Sequence, residues 1–271
     1  MKHKIFSLVL LSFKEGVRSR ALIGIGIFSL AMMVCAFLVV GMFMREIHKV
    51  SVDINLTAIT FAGLLLTFFV SINLMSKDID KHTIYCVLSK PFSRGQYILG
   101  KYLGIMLLMI AALCILTLCS SITILLIKSQ YGVYFKNFSW IEFYKAIYAG
   151  LLMLFLLNAV VVFFSTITTS SFITLLFSMS TYLAGQTIEE VVLFLKTKTA
   201  AEMAFSEGIH KTINIVQYIL PNLSVFDLKV QSAHAITIPF SYLLAITGYS
   251  FIYTAILLLA ATLIFRKREI L

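Results

Sequence analysis

The sequence predicts an all-α polytopic membrane protein with six transmembrane helices, an N-terminal interfacial helix and a short cytoplasmic helix between the second and third spans. Three observations carry this expectation. Of the 271 residues, 60% are hydrophobic and only 13% are charged, with a mean hydropathy of +0.99; a soluble domain carries about 25% charged residues. The apolar residues fall in runs near the length of about 20 that a helix needs to cross a bilayer. The charges gather between those runs, with Lys and Arg shared unequally between the two sides.

The first twenty residues are basic at the start (Lys2, Lys4) and have a short apolar centre, Ile5–Leu11. Lys14, Glu15, Arg18 and Arg20 follow where a signal peptide would need a small-residue cleavage site. Ile5, Leu8, Val9, Phe13 and Val17 share one helical face, so 1–20 is expected to lie along the membrane surface. Ala21–Met44 is the first expected span, Arg45–Asn55 a polar turn, and Leu56–Met75 the second span. The third, fourth, fifth and sixth are Tyr102–Ile127, Phe143–Phe164, Phe172–Thr187 and Pro239–Phe265. Lys128–Glu142 brings Tyr131, Tyr134 and Trp140 to interface depth. Between the fifth and sixth spans, 188–238 contains Val216–Leu220 and Leu223–Leu228. These pieces are too short to span and are expected to insert partway from the outer face. The whole chain reads as one transmembrane domain, 1–271.

Orientation follows from the basic residues. With the N-terminus inside, thirteen Lys and Arg lie in cytoplasmic parts and five in or beside the two short outer connections (Arg45, Lys49, Lys128, Lys136 and Lys145), which places both termini in the cytoplasm. The net charge of +10 is accounted for by anionic lipid at the cytoplasmic face. No basic–aromatic module points to nucleic acid.

The polar stretch Ser76–Lys101 falls in two parts. Asp78 and Asp80 stand where a helix start favours carboxylates, and Ile84, Val87 and Leu88 follow on one face. Pro91 ends this helix, because Lys90 before it is pushed out of the α region. About ten residues span roughly 16 Å, too short to cross. Ser93 and Gln96 then form a capping box, with Phe92 and Tyr97 placed as a hydrophobic staple, and the new helix runs into the third span. A push on the short helix would move that span.

Asp80, Thr83, Leu88, Ser89, Pro91, Ser93, Arg94, Gly100 and Lys101 make this layout resemble the coupling helix of type-2, exporter-class ABC transporter permeases. His82 stands where that family most often has glycine. The six-span plan and the amphipathic helix before the first span are similar too. The resemblance implies that Asp78, Asp80, Thr83, Ile84, Val87, Leu88, Pro91, Ser93 and Arg94 couple the chain to an ABC ATPase. It further implies a second permease copy, identical or related, and residence in the cell membrane. ATP would be bound by the partner, so the chain itself is expected to be neither an enzyme nor a cofactor carrier.

Other constellations are weaker. Gly95–Lys101 reads G-x-x-x-x-G-K, but Tyr102 replaces the Ser or Thr that would hold magnesium. A helix interior also has no free N–H groups for phosphate. Gly100 and Gly104 fit helix packing better, with Lys101 expected to snorkel to the headgroups. No hydrolase or metalloprotease motif occurs. Cys35, Cys114 and Cys119 lie in apolar segments and are expected as small buried hydrophobes; with Cys86, they show no metal-ligand spacing. All five histidines and the acidic residues fall outside the expected spans, which argues against an ion-coupled secondary transporter. A non-transporting signalling partner of an ATPase would carry a large outer domain after the first span, where this chain has only Arg45–Asn55. Asn158 and Gln186 are candidates to line a path, or to bond neighbouring helices. The glycosylation triplets at Asn55, Asn137 and Asn222 read as chance.

Overall fold

The computed structural model describes residues 2–41, 46–75, 93–135, 138–195, 217 and 220–267. We number its helices α1 Lys2–Val17, α2 Arg20–Val40, α3 Ile47–Leu65, α4 Arg94–Gln130, α5 Trp140–Ile167, α6 Ser171–Leu195, α7 Lys229–Ala233 and α8 Phe240–Lys267. A π-turn at Leu66–Ser71 carries α3 on to Met75. Within it, Thr67 Oγ1 donates to the Gly63 carbonyl at 2.9 Å, a back-bond that bends helices. Among the described residues there is no strand.

Among the described residues, five helices are long and apolar enough to cross a membrane: Leu22–Val40, Ile47–Met75, Arg94–Gln130, Trp140–Ile167 and Phe240–Lys267. The expected fifth span, 172–187, lies within α6. That helix runs beside α5 but does not reach the same apolarity, because Ser178, Ser180, Thr181, Gln186, Glu189 and Glu190 interrupt it. The expected polar turn Arg45–Asn55 is a correction. Helix α3 begins at Ile47, and Asn55 is fully buried. Asn55 Nδ2 donates to the Ser51 carbonyl at 2.8 Å, and Ser120 Oγ donates to Asn55 Oδ1 at 3.0 Å. Polarity in a bundle is tolerated once it is paired across helices, so the turn signal was misleading. No glycan fits on Asn55.

Helix α5 is the centre of the bundle, with Leu154, Leu157, Asn158 and Val161 fully buried. Neighbours bond its carbonyls directly. Tyr102 Oη donates to the Phe155 carbonyl at 3.1 Å, and Ser250 Oγ to the Leu152 carbonyl at 3.1 Å. Lipid is as apolar as a leucine side chain, so such contacts and close packing hold these helices together rather than the hydrophobic effect. The same physics corrects the cysteines. Cys35 and Cys114 face outward and Cys119 is half-buried, because an outward apolar group costs nothing in hydrocarbon.

At the end of the bundle where α5 begins, Phe138, Trp140 and Phe143 pack edge to face at 4.9 and 6.1 Å. Leu223–Phe226 dips into the bundle from that end. The Leu223 N–H donates to the Gly185 carbonyl at 2.9 Å, the Asn222 N–H to Tyr249 Oη at 2.8 Å, and Phe226 is buried against Tyr249.

Candidate functional site

The candidate site is the junction where α4 begins. Ser93 has an extended backbone, and its hydroxyl accepts from the Gln96 N–H at 3.3 Å. The Ser93 N–H in turn donates to Gln96 Oε1 at 3.1 Å. The capping box therefore forms, and two of the helix's orphan donors are satisfied. Asp78, Asp80, Thr83, Ile84, Val87, Leu88 and Pro91, as well as Phe92 of the staple, lie outside the described residues. Ser93 and Arg94 are the members of the expected coupling set that the structure places.

Arg94 reaches across to the last helix. Its Nη1 donates to the carbonyls of Phe265 and Arg266 at 3.0 and 3.1 Å. A cation on the final carbonyls of a helix satisfies orphan acceptors and complements the negative end of the dipole. One turn on, Tyr97 stacks on Phe265 with ring centroids 6.1 Å apart, and both rings are buried. Such a pair contributes roughly 0.5–1.5 kcal/mol beyond its area.

Helix α1 packs along the same part of α4. A Cβ on Gly100 would overlap the Leu8 side chain, and one on Gly104 would stand 2.6 Å from Ser12 Cβ and 2.9 Å from the Val9 carbonyl oxygen. The helices meet backbone to backbone. The face of α1 turned to the protein is Leu8, Ser12 and Gly16, whereas Phe6, Leu11 and Val17 are exposed.

Lys101 requires a correction. It is only 3% exposed and does not snorkel. Its Nζ lies 3.1 Å from Glu15 Oε2 on α1 and donates to the Leu74 carbonyl of the second span at 3.2 Å. The α1 contact closes over the lysine, so its ammonium is met by a carboxylate and a helix-end carbonyl instead of water. Glu15 and Lys101 are 86 positions apart, and no local pattern connects them. Sequence reasoning used Glu15 only to exclude a signal peptide.

The interior polar candidates Asn158 and Gln186 differ in their surroundings. Asn158 is fully buried, and neither side-chain amide atom has a hydrogen-bond partner among the described residues. Gln186 Nε2 donates to Met153 Sδ at 3.3 Å. Gln186 also borders a cavity of about 30 Å³ with Leu56, Ile59, Tyr182, Asp227 and Lys229, room for a water or two.

Glu142 was expected in an outer connection but sits buried in the first turn of α5. It accepts from the Ile238 N–H at 2.9 Å, while Lys145, 2.9 Å from Glu142, donates to the Ile238 carbonyl at 2.7 Å. This clamp fixes the chain just before α8. Its local signal was the Glu142–Lys145 spacing of three. Among the described residues, no three His, Cys, Asp or Glu side chains gather as a metal site.

The bundle and its membrane-length helices define a multi-pass helical membrane protein. The chain belongs to the ABC-2 family of transporter proteins, whose family model matches residues 7–270. It is thus a permease component of an ABC transporter, and the family implies an ABC ATPase as its partner. Comparison with curated proteins returned no match.

Proposed function

We propose that this chain is the membrane-spanning subunit of an ATP-driven exporter, and that 76–92 is the element through which a separate ATPase drives it. The observation that supports this is the bonding of the α4 start to three other elements. Arg94 holds the end of α8, Lys101 holds α1 through Glu15, and the same lysine holds the end of the second span through Leu74. A displacement delivered just before Ser93 is passed to α1, α3 and α8 together, as stiff packed helices transmit small shifts. In this reading Asp80 supports the start of the short helix and Thr83, Ile84, Val87 and Leu88 face the ATPase. Pro91, Ser93 and Arg94 keep the turn rigid. Two permease copies pair over an ATPase dimer, both termini face the cytoplasm of a cell membrane, and substrate moves outward.

Two substitutions separate docking from transmission. Leu88→Asp puts an unpaired charge into the contact and is expected to abolish co-purification of the ATPase. Pro91→Gly is expected to leave docking intact and ATP hydrolysis running, with less transport in vesicles. Full docking and full transport by Leu88→Asp would show that the short helix is only a solvated turn.

A further inference from the structure

We propose that the elbow between α1 and α2 binds a phosphate-bearing anion, with the phosphodiester of an anionic phospholipid as its source. A polar pocket of about 260 Å³ opens there, lined by Glu15, Arg18, Ser19, Arg20, Asn73 and Leu74. Among the described lining residues the carboxylate is Glu15, which is engaged by Lys101. Arg18 and Arg20 form no ion pair and no hydrogen bond through their guanidinium groups among the described residues. Among the described residues, the pocket therefore carries two positive charges without an ion-pair partner. Arg94, at the same end of the bundle, is by contrast committed to helix carbonyls.

Depth and chemistry agree on the ligand. Arg20 lies two residues before Leu22, where the first membrane-length segment begins, and residues flanking a span sit at headgroup level. The guanidinium fork matches phosphate oxygens two at a time. Ser19 has a hydroxyl that makes no capping bond to α2, and the Asn73 side chain is exposed in the pocket. These two groups suit the ester and glycerol oxygens that surround a lipid phosphate. Basic pockets between helices at this face hold anionic headgroups. A lipid held here would rest against α1, against the end of the second span, and against Glu15 of the buried ion pair.

The test is native mass spectrometry of the detergent-purified protein after incubation with phosphatidylglycerol or phosphatidylcholine. Wild type is expected to retain phosphatidylglycerol. R18Q/R20Q is expected to lose it by about 30-fold, from the attraction of two basic residues at a membrane surface. R266Q/K267Q removes the same charge at the same end but outside the pocket, and is expected to retain the lipid. R18K/R20K keeps the charge without the fork and should fall between. All variants are compared only as monodisperse protein, since Arg18 and Arg20 are exposed and support no core. Resistance of the bound lipid to millimolar inorganic phosphate assigns the lipid as source, and displacement assigns free phosphate. Equal retention by wild type and R18Q/R20Q, or equal loss in R18Q/R20Q and R266Q/K267Q, overturns the site.

Discussion

Gly104→Ala tests whether α1 is a fixed part of the bundle. A methyl at this position would stand 2.6 Å from Ser12 Cβ and 2.9 Å from the Val9 carbonyl oxygen, where ordinary contact begins at 3.4 Å. Neither atom is the end of a flexible side chain, so α1 must back away by several tenths of an ångström along its whole contact with α4. Overpacking of this kind costs about 1–3 kcal/mol, offset by the roughly 0.8–1 kcal/mol that Ala gains over Gly in a helix. The net expectation is a loss of about 0–2 kcal/mol. Gly248→Ala is the internal control. It lies in α8 with nothing within 4 Å of the added methyl, so only the gain of about 0.8–1 kcal/mol remains. Gly100→Ala should fall between, because its nearest contacts are with the Leu8 side chain, whose end can rotate. Since 1 kcal/mol shifts Tm by about 2–4 °C in a chain near this size, Gly104→Ala should melt several degrees below Gly248→Ala. Size-exclusion-monitored thermal melts in one detergent give the ranking. Ser12→Gly added to Gly104→Ala removes the closest atom and should recover part of the loss. If Gly104→Ala melts at or above Gly248→Ala, then α1 is loosely attached and the argument from close approach fails.

Two further outcomes are expected. Glu15→Gln should destabilise by about 1–2 kcal/mol and Lys101→Met by less, because the first leaves a buried ammonium without its carboxylate whereas the second leaves a carboxylate that is 41% exposed and can turn to water; equal melting temperatures for the two would refute this asymmetry. In a background without the four native cysteines, single cysteines at Ser89 and Leu271 should react with a membrane-impermeant maleimide only after the cytoplasmic side is opened, and labelling of either in intact cells would reverse the orientation.

The sequence by itself determined the class, because a bilayer demands long apolar helices and leaves few alternatives. Five of the six expected spans, the N-terminal helix and the Ser93–Gln96 capping box were legible, since each depends on local composition or on residues three or four apart. The tertiary structure decided the partners. Arg94 to Phe265, Lys101 to Glu15, and Glu142 to Ile238 join residues from about 90 to 170 positions apart. Such pairs exist only because helices converge. Asn55 and Glu142 read as loop residues because polarity in a sequence signals water, yet in the bundle it signals a bond to a neighbouring helix. Cys35 and Cys114 read as buried because they are apolar, yet they face outward from the bundle. In a membrane both sides of a helix are apolar, so hydrophobicity locates the span but cannot say which face meets protein.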